Sequence, residues 1–145
     1  MSNTHIFKQE SMLIHAACHK VLYVEDHPAN MTLVENLLTR RVDLQLLKAT
    51  NGRMGIAMAR AYQPQVILMD INLPGMSGYE ILEILRADAE TTHIPVIALS
   101  SDAFPHQIEK GIRAGFFRYV TKPYKITDLM NALDESIYFS LKNYH

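Results

Sequence analysis

Short apolar runs alternate along the chain with stretches whose apolar positions recur every three or four residues. Residues 21–25 form the first run; Pro28 and Asn30 then open a helix striped by Met31, Val34, Leu37 and Leu38. Residues 43–49 read as the next strand, closed by Asn51-Gly52. Residues 53–62 read as a short helix, with Ile56 and Ala59 on one face and Pro64 beyond its end. Residues 66–69 are apolar throughout. Leu73-Pro74-Gly75 is a loop, and the spacing predicts a helix over Gly78–Ala87 with Ile81, Leu82 and Leu85 inward. A strand at 95–99, a helix at Pro105–Ala114 ending near Gly115, and a strand at 117–121 follow. Ile126, Leu129, Met130, Leu133 and Ile137 stripe a final amphipathic helix. Residues 1–19 carry no sustained period and read as an irregular arm or a short extra helix.

The pattern makes βα units in one α/β domain. Its central strands are apolar on both faces, as expected when helices cover both sides of a parallel sheet. Right-handed crossovers then give an open, doubly wound sheet. Ligands of such sheets bind outside the carboxyl ends of the strands. The polar residues that close the apolar runs all fall at those ends. VLYVED closes on Glu25 and Asp26, VILMD on Asp70, PVIALS on Ser100 and YVTKP on Lys122.

That constellation points to a divalent cation and a phosphoryl group. Adjacent carboxylates repel unless a cation or proton intervenes, and hard oxygen donors suit Mg²⁺, which shares phosphate oxygens. Asp70 can complete such a site as a ligand, or act as a nucleophile that forms an acyl phosphate. Leu73-Pro74-Gly75-Met76-Ser77-Gly78 carries the chain away from Asp70, so that carboxylate is not placed to cap the next helix. Ser100 can donate one hydrogen bond to a phosphoryl oxygen. Lys122 supplies a point cation able to pair first with Asp70 and then with that oxygen. Taken singly, each has an ordinary reading: an acidic loop capping a helix, a turn serine, a solvated lysine. Their convergence on one sheet edge favours chemistry. His27 has no partner at ligand spacing, and GRMG lacks the third glycine of a dinucleotide fingerprint.

Composition narrows the field. The 145 residues, 48% hydrophobic and 20% charged, suit one domain with one core. A formal net charge of -1 gives no electrostatic drive toward nucleic acid. Cys18 is the only cysteine, so no intrachain disulfide can form, which is compatible with a reducing cytoplasm. No apolar run reaches the roughly 18 residues of a membrane span, and the start does not resemble a signal peptide. Tyr138, Phe139, Leu141 and Tyr144 add apolar surface near the terminus, for internal packing or a homodimer contact.

The motifs together resemble the receiver domain of two-component response regulators, over about residues 20–140. VLYVEDHPAN is similar to that family's first strand and acidic pair, and VILMDINLPGMSGYE to its phosphoacceptor segment. IPVIALSSDA and GFFRYVTKPY resemble its hydroxyl and lysine segments. The resemblance implies a flavodoxin-like (βα)5 fold with five parallel strands in the order 2-1-3-4-5, and a receiver domain at residues 20–141. It implies Asp70 as phosphoacceptor, Asp26 and Asp70 as direct Mg²⁺ ligands, Glu25 on a metal water, and the backbone carbonyl of Asn72 as a further ligand. Ser100 and Lys122 are implied as phosphoryl partners, Tyr119 as an aromatic switch, and the Lys122-Pro123 bond as cis. Asn72 and Asp102 fall where similar proteins tune the lifetime of the phosphoryl group. The acidic pair departs from the family, being Glu-Asp where Asp-Asp is more usual, and Ser101 replaces a smaller residue.

The expected function is therefore phosphoacceptance from a phosphohistidine, assisted by the domain itself and not by a separate enzyme. The implied partners are a sensor histidine kinase or histidine phosphotransfer protein, and a downstream protein. No nucleic acid binding by the chain alone and no membrane partner are expected. Receivers at the end of hybrid kinases and freestanding receivers fit equally. The enzyme alternative is a Mg²⁺-dependent aspartate-nucleophile phosphatase. Such enzymes usually carry a second Asp two residues after the nucleophile, where this chain has Asn72. A flavodoxin-type FMN protein would need a Ser/Thr/Gly-rich loop in place of EDHPAN. A purely structural domain leaves the acidic site unexplained.

Overall fold

The computed structural model describes residues 18–143. The expected arm over residues 1–19 lies outside it, apart from Cys18 and His19. Five parallel strands alternate with helices: β1 (His19–Val24), α1 (Pro28–Leu38), β2 (Leu44–Ala49), α2 (Gly52–Tyr62), β3 (Val66–Asp70), α3 (Gly78–Ala87), β4 (Val96–Ser100), α4 (Pro105–Ala114), β5 (Arg118–Thr121) and α5 (Ile126–Asn143). The sheet order is β2-β1-β3-β4-β5, the order the resemblance implied.

Alternation along each strand divides the core in two. Leu22 and Val24 of β1 face Ile67 and Met69 of β3 and the inward residues Ile81, Leu82 and Leu85 of α3. Val21 and Tyr23 turn to the opposite side, where Val34 and Leu38 of α1 and Leu129, Leu133 and Ile137 of α5 cover the sheet. All five residues of β3 and of β4 are buried, which accounts for their unbroken apolar runs.

Several boundaries moved from their expected places. β1 starts at His19, two residues before its apolar run. The His19 amide donates to Asp43 O at 2.7 Å, and the Lys20 amide to Gln65 Oε1 at 2.6 Å. β2 starts at Leu44, because a turn closed by the Leu44 amide donating to Arg41 O at 3.3 Å precedes it; the Arg41 side chain there pairs with Asp43 at 2.7 Å and with Asp134 of α5 at 2.9 Å. β3 includes Asp70 and β4 includes Ser100, so both functional candidates belong to strands. α5 continues past Ile137 to Asn143. Phe139 packs on Phe117 with ring centroids 5.1 Å apart, and Tyr138 and Leu141 lie against the core. Tyr138 and Leu141 thus pack internally, Phe139 stays exposed beside Phe117, and Tyr144 lies outside the described residues. Among the described residues no helix is long and apolar enough to cross a membrane.

Candidate functional site

The parallel register brings the polar strand ends into one cleft. Val24 lies beside Met69, and the Glu25 amide continues the ladder to Ala49 O at 3.0 Å. Asp70 pairs with Leu99, one residue before Ser100, and Ser100 pairs with Thr121, one residue before Lys122. The Lys122 amide then donates to Ser100 O at 2.8 Å. The Lys122-Pro123 peptide is cis, as the resemblance implied. The site is thus a product of strand length and register, and each segment contributes its last residues.

Asp70 is nearly fully buried. Its Oδ2 accepts from Lys122 Nζ at 3.2 Å, and its Oδ1 from the Asn72 amide at 2.9 Å. It does not cap α3. Ser77 does, in a reciprocal capping box with Glu80. Gly78 opens that helix hard against the strand end: a Cβ there would lie 2.8 Å from Ile71 Cα and 3.1 Å from Asp70 O. The Asp70 loop and the helix start therefore fit only with glycine at 78. His27 is the N-cap of α1 and makes no side-chain cap bond, so neither acid of the Glu25-Asp26 pair serves as that cap.

Glu25 is fully buried, yet neither of its carboxylate oxygens has a hydrogen-bond partner among the described residues; the same holds for Asp26 Oδ1. One oxygen from each of Glu25, Asp26 and Asp70 lies within 4.8 Å of the others. Buried carboxylates are otherwise hydrogen-bonded or paired. Three acids facing one lysine leave negative charge in excess. Burial, and then the neighbouring Asp70 carboxylate, push Glu25 up to about 7. Burial also opposes the Asp70 charge, but the contact with Glu25, the Asn72 amide and Lys122 outweigh it and hold Asp70 below the usual carboxylate range. Burial works against the Lys122 charge as well; Tyr124 and Asp70 overcome it and raise its pKa. Orphaned oxygens of hard character, clustered and partly buried, fit a divalent cation such as Mg²⁺. His27 is exposed and stands outside the cluster.

Ser100 is buried, and its Oγ accepts from the Asp102 amide at 3.0 Å. Asp102 O in turn accepts from the Tyr119 hydroxyl at 2.8 Å. Ser100, the loop after β4 and Tyr119 thus form one hydrogen-bonded chain. A cavity of about 260 Å³ beside it is lined by Ser100, Asp102, Tyr79 and Tyr119. Tyr119 is half-buried against Gly111 of α4, where an added Cβ would come within 2.8 Å of its ring.

Two residues near the site escaped sequence reasoning. Tyr23 on β1 is fully buried, and the hydroxyls of Tyr23 and Tyr124 are both sealed from solvent without a partner among the described residues. Burial pushes the ionisation of both phenols up, so each keeps its proton. A tyrosine inside an apolar run and another after Lys-Pro look like core and loop residues, and only the fold brings them together.

Known proteins bear on this geometry. The response regulator receiver domain model matches residues 21–134. Protein PilH of Pseudomonas aeruginosa is 36% identical over 115 residues, which cover 79% of this chain and 94% of PilH. Histidine kinase P4 of Formosa agariphila is 32% identical over 108 residues, covering 74% of this chain but 8% of the kinase. The crystal structure of the receiver domain of sensor histidine kinase PA1611 from Pseudomonas aeruginosa, with a magnesium ion coordinated in its active site cleft, superposes with a TM-score of 0.75. It is 31% identical and covers 83% of this chain and 98% of that domain.

Proposed function

From the premise that the chain belongs to the response regulator receiver domain family, we propose that it accepts a phosphoryl group on Asp70 from a phosphohistidine and uses the modification to change partner binding. The observation that carries this reading is the cluster of Glu25, Asp26 and Asp70 around orphaned oxygens, facing Lys122. The same reading takes residues 20–141 as the receiver unit and the cytoplasm as its place of action. The donor is a sensor histidine kinase or a phosphotransfer protein, and the receiver serves a downstream protein.

The geometry supports a role for each residue. An Asp70 oxygen attacks phosphorus, the P–N bond to the donor imidazole breaks, and the imidazole nitrogen takes a proton from solvent. Lys122 moves its charge from the Asp70 carboxylate to a phosphoryl oxygen, and the Ser100 hydroxyl donates to another. Asp26 and Asp70, with the Asn72 backbone carbonyl, would ligate Mg²⁺ directly, and Glu25 would hold one of its waters. A bound Mg²⁺ supplies neutralisation of the charge on the transferring group. In the reverse direction the same groups assist hydrolysis, so the domain promotes its own phosphorylation and dephosphorylation. The direct test incubates the wild-type chain with Mg²⁺ and acetyl phosphate or a phosphorylated histidine kinase. One phosphoryl mass per chain, lost on hydroxylamine treatment, is expected; an unmodified mass would refute the proposal.

The chain from Ser100 to Tyr119 supports a switch. When Ser100 turns its hydroxyl toward a phosphoryl group, the Asp102 amide loses its acceptor and the loop holding the Tyr119 hydroxyl must rearrange. Tyr119 can then rotate inward beside the cavity, changing the surface of α4, β5 and α5. This is a two-state element biased by one ligand. Beryllofluoride on Asp70 should therefore shift the Tyr119 ring signals in NMR spectra. Tyr119→Phe, which lacks the bond to Asp102 O, should change partner affinity several-fold while leaving labelling of Asp70 within about twofold. Ring signals that stay put with beryllofluoride bound would rule this switch out.

A further inference from the structure

Glu25 directly follows β1 and its amide continues the ladder to Ala49 O, so it lies two residues beyond Tyr23 and on the same side of the sheet. Tyr124 packs on that face from the other direction, at the start of the segment that follows Lys122 and Pro123. The two phenol groups act on each other, both lie within electrostatic range of Glu25 and Asp70, and Tyr124 also lies within range of Lys122. Their hydroxyl oxygens are sealed from solvent and have no partner among the described residues. The Glu25 oxygens beside them are equally orphaned.

Packing alone does not account for these oxygens. Phenylalanine would fill the same two volumes without burying a hydroxyl, and an unsatisfied buried hydroxyl is destabilising. Each phenol brings one O–H donor, and the Glu25 carboxyl group brings acceptor oxygens. The donors match the acceptors in kind, and one buried water of the sort that joins such groups would bridge them. The pair also spans the two parts of the site that must close around a phosphoryl group, namely the acidic end of β1 and the lysine loop after β5.

We infer that Tyr23 and Tyr124 are positioning residues for phosphoryl transfer. Their paired hydroxyls tie the Glu25 carboxylate to the loop that carries Lys122 and so fix the distance between the acids and the amine. The inference rests on the phosphoacceptor reading of Asp70. It assigns the tyrosines no contact with the reacting atoms; they act through Glu25 and Lys122.

Phenylalanine variants keep the rings and remove only the hydroxyls. Tyr23→Phe and Tyr124→Phe should each slow labelling of Asp70 by acetyl phosphate, at saturating Mg²⁺, by roughly five- to tenfold. The half-saturating acetyl phosphate concentration should stay unchanged, since neither phenol meets the donor. The double variant should be no slower than the slower single variant, because the hydroxyls act as a unit. Its melting temperature should stay within about 3 °C of the wild type, because the rings and their packing are kept, so the rate falls without a matching loss of stability. Mg²⁺ affinity, read by calorimetry, should weaken about two- to threefold in each single variant, through Glu25. Labelling rates within twofold of the wild type, multiplicative losses in the double variant, or a melting temperature that falls in step with the rate would each overturn the inference. A wild type that takes no label would remove the phosphoacceptor reading instead. Calorimetry would still decide the positioning role in that case, and unchanged Mg²⁺ affinity in both variants would end it.

Discussion

Asp70→Asn should abolish hydroxylamine-labile labelling of the chain, a loss of at least a thousandfold against the wild type, while the protein stays folded. The amide keeps the volume of the carboxylate and an oxygen able to accept from the Asn72 amide, but it is no nucleophile toward phosphorus. Other acids do not replace it. Glu25, in the same cluster, is fully buried, and that burial together with the neighbouring Asp70 pushes its pKa up to about 7. The variant also relieves charge. Three carboxylates face one lysine in the wild type, and removing one leaves a better balanced cluster. Against that relief, the Asn72 amide, Lys122 and the contact with Glu25 hold Asp70 in its charged form, so the melting temperature of Asp70→Asn should fall modestly without loss of the fold. Residual label above a few percent, mapped by mass spectrometry to another acid, would displace Asp70 from its role. A variant that unfolds would show instead that the Lys122 pair outweighs the repulsion, and Asp70→Glu, with its carboxylate one methylene out of place, then serves as the second probe.

Much of this was legible from the chain alone because the relevant signals are local. A fully buried parallel strand must be apolar throughout, so a carboxylate or lysine that ends such a run marks the sheet edge where ligands bind. Asp70, Ser100 and Lys122 were readable for that reason, and parallel register did the rest. The signals that failed are those set by distant partners. Asp43 looks like the first residue of a strand until the turn closed from Leu44 to Arg41 takes it, with Arg41 held by Asp134 of the last helix. His19 and Lys20 look like linker until their amides find Asp43 O and Gln65 Oε1. Gly78 reads as a helix start, and only the 2.8 Å approach to Ile71 Cα shows that no larger residue fits. The phenols of Tyr23 and Tyr124 meet across about a hundred residues of chain, a pairing that no periodicity encodes.

Removing divalent cations with EDTA should abolish labelling of the wild type, and the stabilisation that Mg²⁺ confers should grow with pH. The second effect follows from Glu25. Burial and the neighbouring Asp70 raise its pKa from 4.5 in the ordinary carboxylate to about 7 in the folded protein. Between those values the native state holds a proton that the unfolded chain has released. Stability in chelator therefore falls as pH rises through this window, by on the order of 2 kcal/mol, or roughly 5 °C in melting temperature. Asp70 has the opposite sign. Its folded pKa is depressed, so its contribution is present above the ordinary carboxylate value and is lost only as pH falls below it. The chelated protein should thus be most stable near pH 5 and weaker at pH 8. A cation that binds only the native site displaces the Glu25 proton and neutralises the excess charge, so its effect is largest where that proton is already leaving. Melting curves at pH 5 and pH 8, each with EDTA and with 10-fold excess Mg²⁺ over its dissociation constant, compare the four states. Glu25→Gln should flatten the pH dependence in chelator and halve or better the Mg²⁺ shift at pH 8, while Asp26→Asn, which removes a proposed direct ligand, should weaken Mg²⁺ binding more. Equal stability in chelator at both pH values, together with an equal Mg²⁺ shift, would contradict a cation site built on a buried, reluctantly ionised Glu25.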